Sequence, residues 1–435
     1  MTVDTLLTNG TVLTMDGGFR VVEGGCVAIT GGVISHVGAL PEGVSADEVV
    51  DAGGGLILPG FINTHCHAAM SLFRGLADNV DLGQFLNTVW AAERAHVTPD
   101  TAYLGAKLSA VEMALGGVTH FLDMYWHVDA TVAAAGDVGL GLSAGPAMIG
   151  VPGPEGGDWG DRLDVVRDFA GRHAANPMVD VLLVPHGCYT LDAEKLRDVR
   201  ALSAELSLPV HIHAAEAAWE LDLVAKAYGQ RPVRALAEAG LLDGPLLLAH
   251  AVHLDDDEIA MLAEAGSAVA HCPASNAKLA SGMAPVRALM DAGVTLSLGT
   301  DGPSTGNDLD MFKAMRLTAY LHALRTGAPD ALSARDIVAM ATIGGAKALG
   351  LSQRQGSLEV GKQADVVVLR ADAPHMVPVY DPYSALVYSA GREDVAHVFA
   401  RGRAVVRDGG LVAPVAGLAE QIRRLAADIR KGSLQ

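Results

Sequence analysis

The chain has 435 residues, 50% of them hydrophobic and 19% charged, with a formal net charge of -19. That length gives room for one large barrel-type domain and a smaller one, and the composition argues for a packed core rather than disorder. The acidic balance disfavours binding to a phosphate backbone, so no nucleic-acid partner is expected.

In chain order, residues 1–57 read as short strands. LLTNGTVLTMDGG and GGCVAITGGVISHVG carry β-branched residues between Asn-Gly, Asp-Gly and Gly-Gly turns. From residue 58 the texture changes to strands alternating with helices. The strand candidates are LILPGFINTH, VTHFLDMY, LGLSAGPAMI, VDVLLVPHG, LPVHIHAA, PLLLAHAV, SAVAHCP and VTLSLGTDG. Among the helices, TPDTAYLGAKLSAVEMALGG has Thr98 to cap it, Pro99 in its first turn and Gly116-Gly117 to end it. SARDIVAMATIGGAKALG is capped by Ser333. Eight strand-helix alternations over 58–355 predict a closed (β/α)8 barrel. QADVVVLRA and VAHVFARGRAVVRDGG return to the opening texture, so 356–412 is expected to join 1–57 in one small β-sandwich domain. Residues 413–435 end in a helix with apolar positions at helical spacing.

Four cysteines, Cys26, Cys66, Cys188 and Cys272, are too scattered for a zinc cluster or a disulfide framework, which fits a reducing cytoplasm. MTVDTLLTNGTVLTMDGG lacks the basic start and apolar core of a signal peptide. No apolar run approaches the roughly 18 residues of a membrane span. A cytoplasmic protein with no membrane partner is expected.

The chemistry-bearing residues gather at strand ends. His65 and His67 close the first barrel strand, one residue apart, so both side chains point to one side. His186 ends the fourth strand, His211 and His213 the fifth with Glu216 after them, His250 the sixth, His271 the seventh and Asp301 the eighth. In such barrels the active site lies at the C-terminal strand ends. His65, His67, His213 and Asp301 make an N3O set suited to zinc, leaving a position for water. Alone, each has an ordinary reading: a chance His-x-His, a structural histidine, a turn aspartate. Strand 4 ends in VPHG without a lysine to bridge two ions, so one divalent metal per chain is expected, Zn2+ ahead of Fe2+ or Mn2+. His120, His127, His253 and His375 read as structural, and His211 as a hydrogen-bonding residue.

PGFINTHCH, HIHAAE, LLLAHAVHL, AHCPASNAKLASGMAPV, LGTDGPSTGNDLDMF and GSLEVGKQADVVVL together resemble the amidohydrolase superfamily over nearly the whole chain. THFLDMYWH and VPHG resemble its cytosine/adenosine-type deaminase branch, which includes deaminases of 5'-methylthioadenosine and S-adenosylhomocysteine. The resemblance implies that His65, His67, His213 and Asp301 hold the metal and that Glu216, His250 and Asp301 handle protons. It implies Glu93 and His186 as substrate contacts. Relatives that take S-adenosylhomocysteine carry arginines after strand 3. Arg162 matches one, while Gly145 stands where the other is expected. The implied function is hydrolytic deamination of a small molecule, an adenine nucleoside with an uncharged tail. A deaminase or dechlorinase of guanine, a pterin or an s-triazine is the alternative, and a non-catalytic scaffold a third. A homo-oligomer is compatible with the resemblance.

Overall fold

The computed structural model describes residues 2–433. Five strands open the chain: β1 (Thr2–Leu13), β2 (Val21–Thr30), β3 (Val33–Gly38), β4 (Ser45–Asp51) and β5 (Leu56–Pro59). Nine strand segments follow in the central region: β6 (Phe61–Cys66), β7 (Val118–Tyr125), β8 (Gly141–Met148), β9 (Val179–Val181), β10 (Val184–Pro185), β11 (Val210–Ala214), β12 (Leu246–His250), β13 (Ala268–His271) and β14 (Thr295–Leu298). The last four are β15 (Val366–Leu369), β16 (Val395–Ala400), β17 (Arg403–Arg407) and β18 (Gly410–Leu411).

The central strands are parallel. They run β6-β7-β8-β10 in one sheet, with β9 also on β8, and β11-β12-β13-β14 in another. The two sheets meet at both margins. On one side the His211 N–H donates to the Leu183 carbonyl (2.8 Å) and the His213 N–H to that of His186 (3.1 Å). On the other the Asp301 N–H donates to the His65 carbonyl (3.0 Å), and the Thr64 hydroxyl donates to that of Leu298 (2.9 Å). Helices separate the strands, the first two being α1 (Leu82–His96) and α2 (Pro99–Leu115). Thr98 caps α2 through the Thr101 N–H, and Asp81 caps α1 through that of Gln84. The result is the expected α/β barrel, whose strand ends carry the site residues.

The strands from both chain ends form one nine-stranded sheet in the order β18-β17-β16-β15-β5-β1-β2-β3, with β4 also on β1. Its residues alternate between two cores, as the period of two requires. Ile57, Val366 and Val368 pack with Leu7, Val12, Val27, Ile29 and Phe399 on one side. Leu56, Leu58, Val367 and Leu369 join the large core shared with the barrel on the other.

Three local expectations change. Asn9-Gly10 is not a turn: β1 runs through it with register shifts, and a Cβ on Gly10 would lie 2.7 Å from the Ile57 side chain. Strand 4 is broken into β9 and β10. The helix after Ser333 breaks at Thr342 into Ala334–Ala341 and Ile343–Ala348. The final helix spans Leu418–Ser433. Among the described residues, no helix is long and apolar enough to cross a membrane.

Candidate active site

His65, on β6, and His67, just beyond it, face His213 on β11 and Asp301 after β14. His65 Nδ1 lies 2.8 Å from His211 Nε2, and His211 Nδ1 lies 3.1 Å from the Leu247 carbonyl. A carbonyl can only accept. His211 therefore carries its proton on Nδ1 and receives the His65 Nδ1–H on Nε2. His67 and His213 each place Nδ1 2.6 Å from a carbonyl, those of Met124 and His186. All three rings are thus fixed with the proton on Nδ1 and a bare lone pair on Nε2. Burial disfavours the charged forms of His65 and His213, taking His65 down to about 4 and His213 well below its ordinary value.

The bare atoms converge. His67 Nε2 and His213 Nε2 are 3.3 Å apart, and Asp301 Oδ1 lies 3.4 Å from His65 Nε2 and 3.3 Å from His67 Nε2. His65 Nε2 is buried without a hydrogen-bond partner. Four acceptors facing one another with no proton between them repel. A divalent cation reverses that sign, and three imidazoles with one carboxylate oxygen are a donor set that fits it. Asp301 is held in the left-handed region at φ 60°, where the Ser275 hydroxyl donates to Oδ2 and the Gly302 N–H to Oδ1, each at 2.6 Å.

Beside this centre stand Glu216 and His250, their Oε2 and Nε2 atoms 3.7 Å apart. Burial, with Asp301 and Glu220 nearby, pushes the Glu216 carboxyl well above the usual range, so it is a neutral acid. The sequence reading missed Glu220. Its carboxylate accepts the N–H groups of Ala215 (3.0 Å) and Glu216 (2.7 Å) and fixes the turn that aims Glu216 inward. Asn276 was also missed. Its Oδ1 lies 2.9 Å from His250 Nδ1, which leaves His250 Nε2 as an acceptor facing the centre. Glu220 lies one helical turn beyond Glu216, a spacing that was readable. Asn276 comes from a different strand end and gave no local signal.

A cleft with about 640 Å³ of empty space, its open mouth included, leads from these groups to solvent. Glu93 and His186 line it. Glu93, on α1, is buried, with the Tyr125 hydroxyl on one oxygen (2.7 Å) and the Trp126 indole N–H on the other (3.3 Å). The remaining wall is mostly apolar: Met70, Phe85, Leu86, Trp90, Met148 and Ile149. Arg162 is not part of this lining. Its guanidinium pairs with Glu155, donates to the Gly156 carbonyl (3.0 Å) and sits 5.9 Å from the Trp126 ring centre. A side chain at Gly145 would meet the Leu182 carbonyl at 2.0 Å, so this strand position has no room for an arginine. His120, His253 and His375 bond elsewhere, to Ser143, the Ser281 carbonyl and Asp394.

A barrel whose strand ends gather a histidine-carboxylate metal set beside a neutral acid defines a metal-dependent hydrolase. The family model described as the amidohydrolase family matches residues 56–405, and the chain belongs to that family. A 5-methylthioadenosine/S-adenosylhomocysteine deaminase of Halobacterium salinarum is 44% identical over 376 residues, covering 86% of this chain and 85% of that protein. The Syntrophobacter fumaroxidans protein of the same name is 39% identical over 431 residues, 98% of both chains. Among solved structures, a zinc-bound adenosine deaminase from Xanthomonas campestris superposes with a TM-score of 0.95 at 34% identity over 99% of both chains. A zinc complex of atrazine chlorohydrolase from Arthrobacter aurescens superposes with a TM-score of 0.89 at 28% identity, over 97% of this chain and 100% of that one.

Proposed function

We propose that the protein is a metal-dependent hydrolytic deaminase of adenine nucleosides, with a neutral tail at the 5' position preferred. The observation that carries this reading is the convergence of four proton-free acceptors beside a neutral, buried Glu216. His65, His67, His213 and Asp301 would hold one divalent metal, zinc by preference. The deaminase relatives and the zinc-bound adenosine deaminase support both the reaction and the metal.

When bound, such a metal supplies a water acidified to near neutral pH, the nucleophile for the amino-bearing ring carbon. The chain's own groups handle the protons. Glu216, kept neutral by burial, gives its proton to the ring nitrogen next to that carbon. His250 Nε2 and Asp301 accept from the water and return a proton to the departing amine. The water oxygen ends on the ring carbon as a carbonyl, its second proton replaces the one Glu216 gave, the carbon-nitrogen bond breaks, and ammonia leaves. Glu93, with one donor on each oxygen, keeps lone pairs for sugar hydroxyls. His186 lines the same cleft. The apolar cleft and the Glu155-bound Arg162 support a tail without a carboxylate.

Ammonia release and the absorbance change of the purine, measured with 5'-methylthioadenosine, 5'-deoxyadenosine and adenosine, test the reading. The similarity to atrazine chlorohydrolase favours a second one, hydrolysis of another heterocycle. Chloride rather than ammonia release, or turnover only of guanine, pterins or triazines, would select it.

A further inference from the structure

Tyr125 and Trp126 are consecutive, yet both donate to Glu93, Tyr125 to Oε1 (2.7 Å) and Trp126 to Oε2 (3.3 Å). Neighbours on a strand point to opposite sides, so two successive side chains reach one carboxylate only where the chain leaves the strand. β7 ends at Tyr125, and His127 stands in the left-handed region at φ 53°. A residue with a side chain keeps that conformation only when its surroundings hold it there.

Glu155 supplies the hold. One of its oxygens accepts the His127 N–H (2.7 Å), and the other pairs with Arg162. The Arg162 guanidinium lies 5.9 Å from the centre of the Trp126 ring, within reach of the attraction between a cation and an aromatic face. Gly153 closes on the same ring, and a Cβ there would overlap it. Glu155 thus grips the backbone just beyond Trp126 and, through Arg162, its ring. Arg162 is charged yet only 8% exposed. A buried ion pair is weak as a source of stability, and fixing a geometry is the better reason for one.

We infer that Glu155 and Arg162 are positioning residues that hold the Trp126 indole N–H on Glu93, and that this donor sets the protein's preference for a sugar bearing both hydroxyls. The inference rests on the reading of Glu93 as the sugar contact. A carboxylate offers about four lone-pair sites, so beyond Tyr125 and Trp126 it has room for the two donors of a 2',3'-diol. Without the Trp126 N–H, Oε2 loses its fixed direction, and the carboxyl loses a donor that favours its ionised, accepting form. Glu155 and Arg162 lie outside the cleft lining and act only through Trp126.

The readout is the ratio of kcat/KM for adenosine to that for 2',3'-dideoxyadenosine, which differ in those hydroxyls alone. Trp126→Phe keeps a ring for Arg162 and removes the N–H. It should lower the ratio about tenfold, through KM for adenosine rather than kcat. Arg162→Met should lower it too. Glu155→Gln, which keeps an acceptor for the His127 N–H, repeats that test in a chain of nearly the same shape. Ultraviolet resonance Raman difference spectra, with Trp126 assigned from Trp126→Phe, read the contact without substrate. Arg162→Met and Glu155→Gln should move the indole N–H band toward that of a weaker hydrogen bond. A ratio lowered by Glu93→Gln but not by Trp126→Phe would overturn the inference alone. A ratio that Glu93→Gln leaves unmoved, or no turnover of either nucleoside, would remove the sugar reading and the inference with it. If neither Arg162→Met nor Glu155→Gln moves the ratio or the band, the pair does not position Trp126.

Discussion

His65 and His211 are joined ring to ring, Nδ1 to Nε2 at 2.8 Å, and the Leu247 carbonyl anchors the far side of His211. The direction of that chain of bonds is what leaves His65 Nε2 free to bind a metal. His211→Ala should therefore weaken metal binding by about 10- to 100-fold, while the far-ultraviolet circular dichroism stays native. Competition with a chromophoric chelator measures this. Wild-type affinity in the variant would show that the His65 tautomer is set some other way.

One donor set predicts one ion. Protein purified without chelator should contain about one equivalent of divalent metal by elemental analysis, and removing it should abolish ammonia release. Two tightly held equivalents would require a bridging ligand that strand 4, ending in Pro185-His186, does not provide.

Glu216→Gln preserves shape and removes the mobile proton. Metal content should be unchanged and turnover should fall by about 10²–10⁴-fold. Near-full activity would take the proton donor role away from Glu216.

The tail preference is quantitative. A charge-assisted hydrogen bond is worth about 1.5–3 kcal/mol, so a cleft that lacks one should disfavour the carboxylate-tailed nucleoside by roughly 10- to 150-fold in kcat/KM. Parallel measurements on 5'-methylthioadenosine and S-adenosylhomocysteine decide it. Equal values would mean that Arg162 leaves Glu155 when the charged substrate binds.

Glu93 makes stability depend on pH. Burial raises its carboxyl from 4.5 to about 7, outweighing the bonds from Tyr125 and Trp126. Between those values the folded chain holds a proton that the unfolded chain has released. The associated stability is full below the lower value and lost as pH rises through the upper one. For chelator-treated protein, the Tm of wild type minus that of Glu93→Gln should fall as pH rises from about 4.5 to about 7. A flat difference would mean that the carboxyl titrates normally.

The barrel was legible in the sequence because each buried strand is a short apolar run between turn residues. The metal candidates were legible because they sit at the ends of those runs. Two kinds of feature were not. Asn9-Gly10 has the composition of a hairpin turn, but the close approach of Ile57 makes it a bulge, and that contact is between residues distant in sequence. Gly145 was read as standing where relatives carry an arginine, and the Leu182 carbonyl leaves no room there for any side chain. Asn276 and the Glu155–Arg162 pair depend likewise on which strand ends and loops become neighbours, which local pattern does not contain.

β5 pairs antiparallel with β15, Pro59 opposite Val366, although roughly 300 residues of barrel lie between them. At about 5–20 residues per second, the ribosome needs some 15–60 seconds to deliver the second strand after the first. For that interval β5 has an open edge, and the apolar residues that later pack against β15 are exposed. Premature termination anywhere before residue 366 would leave them so for good. The nascent chain's window for misassociation is therefore set by how fast the barrel is translated, and slowing elongation through that region should raise the aggregated fraction even though no residue has changed.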